Sequence, residues 1–357
     1  MNRSGDGEPL SATLARRIAE DGPIPIADYM QAANAHYYAT RDPIGAAGDF
    51  ITAPEISQMF GELVGVWLAD LWQRAAVQGA VGGGPIHYVE LGPGRGTLAQ
   101  DALRVLAGAR LDSRVRLVET SPALRAVQAE ALAGACWHDT VDSLPADGPL
   151  LIVANEFFDA LPVHQYVQTP EGWRERLVAA HDGTFLPVTG SESADDAIPA
   201  PLSDSAVGSL YETSPASSDI VRTLAARLAA QGGAMLIIDY GHRKTATGDT
   251  LQAVRGHAFA DVFSRPGEHD LTTHVDFDAL ALAAREAGAR VCGPRAQGEW
   301  LTALGITMRA AALARADPER QSEVFAARER LVSPSAMGRL FKVMALVAPG
   351  WPNPEGF

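Results

Sequence analysis

The sequence predicts an α/β fold built on a mostly parallel sheet with helices on both faces. At 357 residues the chain is long enough for one large α/β domain with insertions, or for two ordinary domains. Short apolar runs alternate with helix-length segments over its central part, the rhythm of strand, helix, strand. A glycine-rich turn joins the first such run to the helix after it, the setting of a ligand-binding loop.

In chain order, two helical stretches come first, over about residues 11–30 and 57–78. In the second, Met59, Phe60, Leu63, Val64, Trp67, Leu68 and Leu71 share one face at i, i+3, i+4 spacing. Between them His36-Tyr37-Tyr38 and Gly48 to Pro54 are rich in aromatic and turn residues and read as a loop. Gly82-Gly83-Gly84 marks a turn. Strands are then expected at 86–91, 115–119 and 150–154, with helices at 97–109 and 122–133. A helix at 218–231, a strand at 234–239, a helix at 277–287 and strands at 290–293 and 341–347 complete the rhythm.

Two stretches interrupt it. Residues 163–189 read as hairpins turning at 169–172 and 181–184, followed by a flexible loop at 190–201. Residues 300–331 read as inserted helices. The expected organisation is an N-terminal helical cap with a lid loop over 1–80. A core over 81–357 follows, with insertions at about 163–215 and 298–332. No internal repeat is present.

Lys and Arg total 29 and Asp and Glu 43, a formal charge of −14 with a pI near 5.1. Phosphate contacts need concentrated basic surface, so no nucleic-acid partner is expected, although a local basic groove is compatible with this total. Only Lys244 and Lys342 are lysines, which reads as genome composition rather than chemistry. Hydrophobic residues at 47 % and charged residues at 20 % mark a globular chain. No apolar run approaches the ~18 residues of a membrane span. The segment from Met1 to Leu10 is too polar and acidic for a signal or transit peptide, so the expectation is a cytoplasmic protein. Cys136 and Cys292 are too few for a disulfide framework and read as small buried residues. His257 and His274 lie 17 apart, without metal-ligand spacing, and no metal is expected.

The most informative run is Glu90-Leu91-Gly92-Pro93-Gly94-Arg95-Gly96-Thr97. A dinucleotide fingerprint, G-x-G-x-x-G counted from Gly92, needs its third glycine where Thr97 stands, which disfavours a nicotinamide-dependent oxidoreductase. An acidic residue followed by glycines at alternate positions is the form used by methyltransferases that take S-adenosyl-methionine (SAM). SAM has no phosphate there; the loop lies against its amino-acid part, and Glu90 can face the ammonium and sulfonium charges. An ordinary tight β–α turn is the bland alternative. Glu119, at the end of the second strand, can accept both ribose hydroxyls, or be a solvated strand-end residue. Asp139 is placed to meet the adenine amino group, with Trp137 or His138 packing on the ring; a surface turn explains it as well.

Three segments carry a more specific resemblance: Gly48 to Ser57, Glu90 to Gly96, and Asn155-Glu156-Phe157-Phe158-Asp159-Ala160-Leu161-Pro162. With Ile238-Asp239-Tyr240-Gly241 and the stretch from Met337 to Val343, they resemble the MidA family, over about 25–347. The resemblance implies a class I, Rossmann-like methyltransferase with a mostly parallel seven-stranded sheet, SAM as methyl donor and S-adenosyl-homocysteine (SAH) as product. Its mitochondrial members imply arginine methylation of a protein, and a respiratory complex subunit with an exposed arginine as partner.

For such a substrate, carboxylates would hold the guanidinium by paired charge-assisted hydrogen bonds. Glu156 and Asp159 are the expected clamp, Asn155 a positioner that also faces the cofactor, and His164 a proton acceptor. Asn155 and Asp159 serve equally as caps of a following helix. Pro93, Gly94, Thr97, Asp49, Thr52 and Ser57 complete the expected cofactor site, the last three in a loop that folds over it as a lid. Asp239, Asp270, Thr272 and His274 are expected toward the substrate side. A partner-binding assembly factor on the same fold, and a small-molecule methyltransferase, are the alternatives.

Overall fold

The computed structural model describes residues 8–40, 52–255 and 258–357. The main sheet consists of β1 (Ile86–Leu91), β2 (Ser113–Val118), β3 (Cys136–His138), β4 (Leu150–Asn155), β5 (Gly233–His242), β6 (Arg290–Ala296) and β7 (Phe341–Val347). Their spatial order is β6-β7-β5-β4-β1-β2-β3. The pairs from β5 to β3 are parallel, whereas β7 runs antiparallel to both β5 and β6. The two-residue strand Val275–Asp276 lies along the end of β5.

Side chains alternate across each strand, and that alternation divides the core into two layers. Leu151 and Val153 of β4, Leu236 and Ile238 of β5, and Val343 and Ala345 of β7 pack toward the helices Gln58–Val77 and Thr97–Gly108. Their neighbours Ile152, Ile237 and Met344 pack on the opposite face, against Pro215–Gln231 and Phe277–Glu286. The inserted helices Gln297–Ala303, Ile306–Ala316 and Gln321–Val332 add Trp300, Ile306 and Leu331 to the first layer. Arg309 anchors them, donating through Nε and Nη2 to the buried Glu62 carboxylate at 2.7 and 2.8 Å.

A third core lies beside the main sheet. Strands His164–Thr169, Gly172–His181, Thr184–Ser193 and Leu210–Thr213 form an antiparallel sheet, with Ile24–Pro25 at its edge. The helices Leu10–Asp21 and Ile26–Thr40 pack here, through Leu14, Ile18, Tyr29 and Met30 against Val163, Val178 and Phe185.

Several expectations are corrected. The stretch 11–30 is two helices, because Gly22 takes φ 88° and Pro23 follows it. His36, Tyr37 and Tyr38 continue the second of them, since Tyr37 is buried and Tyr38 donates to Asp270 Oδ1 at 2.8 Å. Residues 190–193 extend the hairpin strand instead of opening a loop. Cys136 is exposed and Cys292 half-buried, because both sit on sheet-edge strands.

Candidate functional site

After β1 the chain builds outward through β2 and β3, then returns to β4 on the other side of β1. At that reversal, beyond the carboxyl ends of the strands, ligands bind in open parallel sheets. A cavity of about 590 Å³ lies there, within the usual range for small-molecule sites. Its walls are the glycine loop, the turn after β2, the segment after β4 and one side of the helix Ile26–Thr40.

Gly92, Gly94 and Gly96 take φ of 56°, 55° and 81°, the left-handed region that a side chain rarely adopts. A Cβ on Gly92 would also lie 2.9 Å from Phe157 Cδ2. Glu90, above the loop, is 3 % exposed and lines the cavity. Its carboxylate accepts the Tyr88 hydroxyl at 2.6 Å. Burial pushes it up to about 8, against the Tyr88 bond that draws it down. Thr97 Oγ1 donates to Glu55 Oε1 at 2.5 Å, which ties the loop to the turn Ala53–Ile56; Thr52 and Pro93 also line the wall.

Glu119 lines the opposite wall, accepting the Ser121 N–H at 2.8 Å and the Gln128 amide at 3.3 Å. Burial raises its carboxyl. Gln128 is fully buried and was not singled out by motif or spacing. Its Nε2 donates to Gly94 O at 2.7 Å and its Oε1 accepts from Trp137 Nε1 at 2.8 Å, so one amide holds the loop, Glu119 and Trp137 together. Asn34 was equally silent. Its Nδ2 donates to Ala160 O at 3.0 Å and Leu271 O at 2.8 Å, joining helix Ile26–Thr40 to the substrate-side turn.

No helix follows β4, so Asn155 and Asp159 are not caps; residues 156–162 form turns. Asp239, fully buried in the last part of β5, organises them: its Oδ2 accepts the N–H groups of Phe157, Phe158 and Asp159 at 3.2, 3.0 and 3.3 Å. Such a nest of successive amides suits a carboxylate. Glu156 enters the turn at φ 51°, uncommon for a side-chain-bearing residue. Its Oε1 accepts the Ala53 N–H and the Asn155 Nδ2, both at 3.1 Å. Burial pushes Glu156 up to about 7. Asn155 Oδ1, at the cavity wall, is buried with no hydrogen-bond partner among the described residues.

Asp159 lies behind the wall, where it accepts the Tyr240 hydroxyl; burial raises Asp159, Asp239 and Tyr240 alike. Asp270 and Thr272 are also buried behind the cavity, Asp270 under Tyr38, and His274 stands edge-on to Tyr240.

Four placements differ from expectation. Asp139 points to solvent and pairs with Arg125 at 2.5 Å, because β3 ends at the sheet edge before it can turn inward. Neither Trp137 nor His138 lines the cavity: the first bonds Gln128, the second Ser143 Oγ at 3.0 Å. Ser57 caps the helix Gln58–Val77, accepting Met59 N–H at 3.2 Å. His164 lies outside the cavity wall on the hairpin sheet, its Nδ1 at 2.6 Å from Glu175 Oε1. Asp49 and His257 fall outside the described residues. Among the described residues no cluster of His, Cys, Asp or Glu could hold a metal ion.

These features fit SAM. Glu90 makes no ion pair with a described residue and would complement a cationic amino-acid group, Asn155 Oδ1 is an open acceptor, and the glycines keep Cβ atoms off the loop. The fold and this crevice define a class I SAM-dependent methyltransferase.

Residues 63–295 match the family model Methyltransf_28, described as "Putative S-adenosyl-L-methionine-dependent methyltransferase". The chain belongs to this family, the MidA family. It is 36 % identical to the protein arginine methyltransferase NDUFAF7, mitochondrial, of Danio rerio, over 94 % of this chain and 86 % of that one. With the Homo sapiens protein of the same name it shares 35 % identity, over 95 % and 83 %. Among solved structures, a Burkholderia thailandensis protein crystallised with SAH superposes with a TM-score of 0.85 at 29 % identity, covering 97 % of this chain and 93 % of its own. The expectation of a cytoplasmic protein is corrected by the curated relatives, which are named mitochondrial.

Proposed function

We propose that this methyltransferase modifies arginine in a partner protein, with Glu156 as the residue that receives the guanidinium. The observation that carries this reading is the Glu156 carboxylate. It is half-buried in the cavity wall and held by Ala53 and Asn155, and makes no ion pair with a described residue. Curated relatives named protein arginine methyltransferases support the same substrate class.

Bound SAM supplies an electrophilic methyl group on an excellent leaving group, so the chain's own task is positioning and charge. Glu90, Asn155 and the glycine loop hold the cofactor, with Glu119 at its ribose end. Glu156 orients the guanidinium through charge-assisted hydrogen bonds and takes the proton released as a nitrogen is methylated. Asp159 and Tyr240 hold the wall behind it, which replaces the direct clamp expected of Asp159. A respiratory complex subunit with an exposed arginine is the partner the family resemblance favours.

The test is transfer of a labelled methyl group from SAM into lysate from cells lacking this protein, followed by hydrolysis and amino-acid analysis. Label in methylarginine with wild type, reduced ~100-fold by Glu156→Gln while SAH affinity holds, is the expected outcome. Label confined to small molecules would replace the reading with small-molecule methylation. SAH binding without any transfer would favour an assembly factor.

A further inference from the structure

The residues at the carboxyl end of β5 and the amino end of β7 form a corner of unusual charge for this molecule. The chain carries a formal charge of −14 and only two lysines, Lys244 and Lys342, and both stand here. In the antiparallel register Asp239 lies opposite Lys342 and Tyr240 opposite Phe341. The segment leaving β5 (His242, Arg243, Lys244) therefore passes the segment entering β7 (Arg339, Leu340). On the other side Gly241 pairs with Val275, which brings His274 alongside.

The Lys342 ammonium is fixed, donating to Arg339 O at 2.8 Å and Leu340 O at 2.7 Å. Burial, with repulsion from Arg243 and Arg339, draws it down to about 8. Among the described residues carboxylates approach only the outer groups: Asp276 lies 3.7 Å from His242 and Asp278 4.0 Å from Lys244. Neither Arg243 nor Arg339 makes an ion pair with a described residue, and both are exposed. Like charges gathered without counter-charge are unfavourable unless a partner supplies it.

The place of this corner selects the partner. Tyr240, whose hydroxyl bonds Asp159 behind Glu156, has its ring 5.5 Å from Phe341 and 5.6 Å from His274. β7 lies two strand spacings, ~10 Å, from β4, whose end carries Asn155 and Glu156, and an extended chain advances ~3.3 Å per residue, so the cations stand about three residues along a bound chain from the site. We propose that Arg243, Arg339 and Lys342 dock an acidic segment of the protein substrate, a few residues along the chain from the arginine that enters the cavity. The proposal rests on the protein-substrate reading above. The substrate would carry an arginine with Asp or Glu about three residues away, matched by a carboxylate in the cavity and by cations two strands from it. A nucleic acid is a poorer match, since beyond this corner its backbone would meet a protein of net charge −14.

The experiment uses the full chain saturated with SAH and fluorescein-labelled 12-residue peptides bearing one central arginine, flanked either by Glu and Asp or by Gln and Asn. Fluorescence anisotropy should show the acidic peptide bound in a salt-dependent way, the neutral one about tenfold more weakly, and binding of the acidic peptide reduced about tenfold by Arg243→Gln with Arg339→Gln. Calorimetry of SAH on the double variant should match wild type, which confirms the fold. Arg320→Gln, a remote exposed arginine paired with Glu323, should change nothing. Equal binding of both peptides, no binding of the acidic one, or an unaffected double variant would overturn the proposal. So would a labelled oligonucleotide that outcompetes the acidic peptide through the same arginines. Because binding is read without methyl transfer, and an acidic peptide with alanine at its centre should still bind, failure of the arginine reading would be seen separately.

Discussion

Replacing Glu90 by Gln tests whether the site holds a buried carboxyl whose ionisation is completed by a cationic cofactor. The carboxylate is 3 % exposed, bonded by the Tyr88 hydroxyl, and pushed from 4.5 to about 8 by burial. In the ligand-free protein the folded state therefore keeps a proton that the unfolded chain releases. The stability this proton gives is complete below pH 4.5, declines as pH rises, and is gone above about 8. At about 1.4 kcal/mol per pH unit, wild type should lose about 4 kcal/mol between pH 5 and pH 8 from this group. Glu90→Gln keeps an acceptor for Tyr88 but no titrating charge, so its stability should lack that slope. The other buried carboxyls titrate in both proteins and cancel. Urea unfolding at intervals from pH 5 to 8 reads the difference directly. Calorimetry should also show SAH bound at least about tenfold more weakly by the variant, since the opposing charge is missing. Parallel stability curves together with unchanged SAH affinity would refute the account of Glu90.

Further outcomes follow from the packing. Gly92→Ala should weaken SAH binding and destabilise the protein by about 1–3 kcal/mol, because the residue has φ 56° and its new Cβ meets Phe157 at 2.9 Å; calorimetry and urea unfolding check both. Gly65→Ala should cost about 1–3 kcal/mol in urea unfolding, as a Cβ there lies 2.8 Å from Ala102 O and 2.9 Å from Val105 Cβ, whereas Gly108→Ala, with open space around it, should gain a few tenths. Arg309→Ala leaves Glu62, 7 % exposed, with the longer contacts from the Gln58 amide at 3.2 Å and Arg104 at 3.3 Å, and should cost about 1–3 kcal/mol. Replacing both partners, Glu62→Leu with Arg309→Met, should recover much of that loss, and a double-mutant cycle measures it.

The sequence by itself determined the sheet and the loop. The apolar runs at 86–91, 150–154 and 341–347 are strands, and the helices at 58–77 and 97–108 follow from periodicity, because these elements bury side chains in patterns set by local geometry. The acid-and-glycine run from Glu90 to Gly96 was legible for a related reason: left-handed backbone at a strand-to-helix turn demands glycine wherever the loop closes. What only the tertiary structure decided is which carboxylates face the cavity. Glu156 and Asp159 stand three residues apart in one motif. The amide nest on Asp239, more than seventy residues away in the chain, turns the first to the wall and the second behind it. Gln128 and Asn34 left no motif, since a buried amide earns its place from partners on other elements. Asp139, Ser57 and His164 carry site-like chemistry yet answer a surface arginine, a helix end and a neighbouring strand. The physical reason is common to all of them: spacing along the chain sets a side chain's chemistry and its local fold, whereas long-range packing sets the direction in which it points.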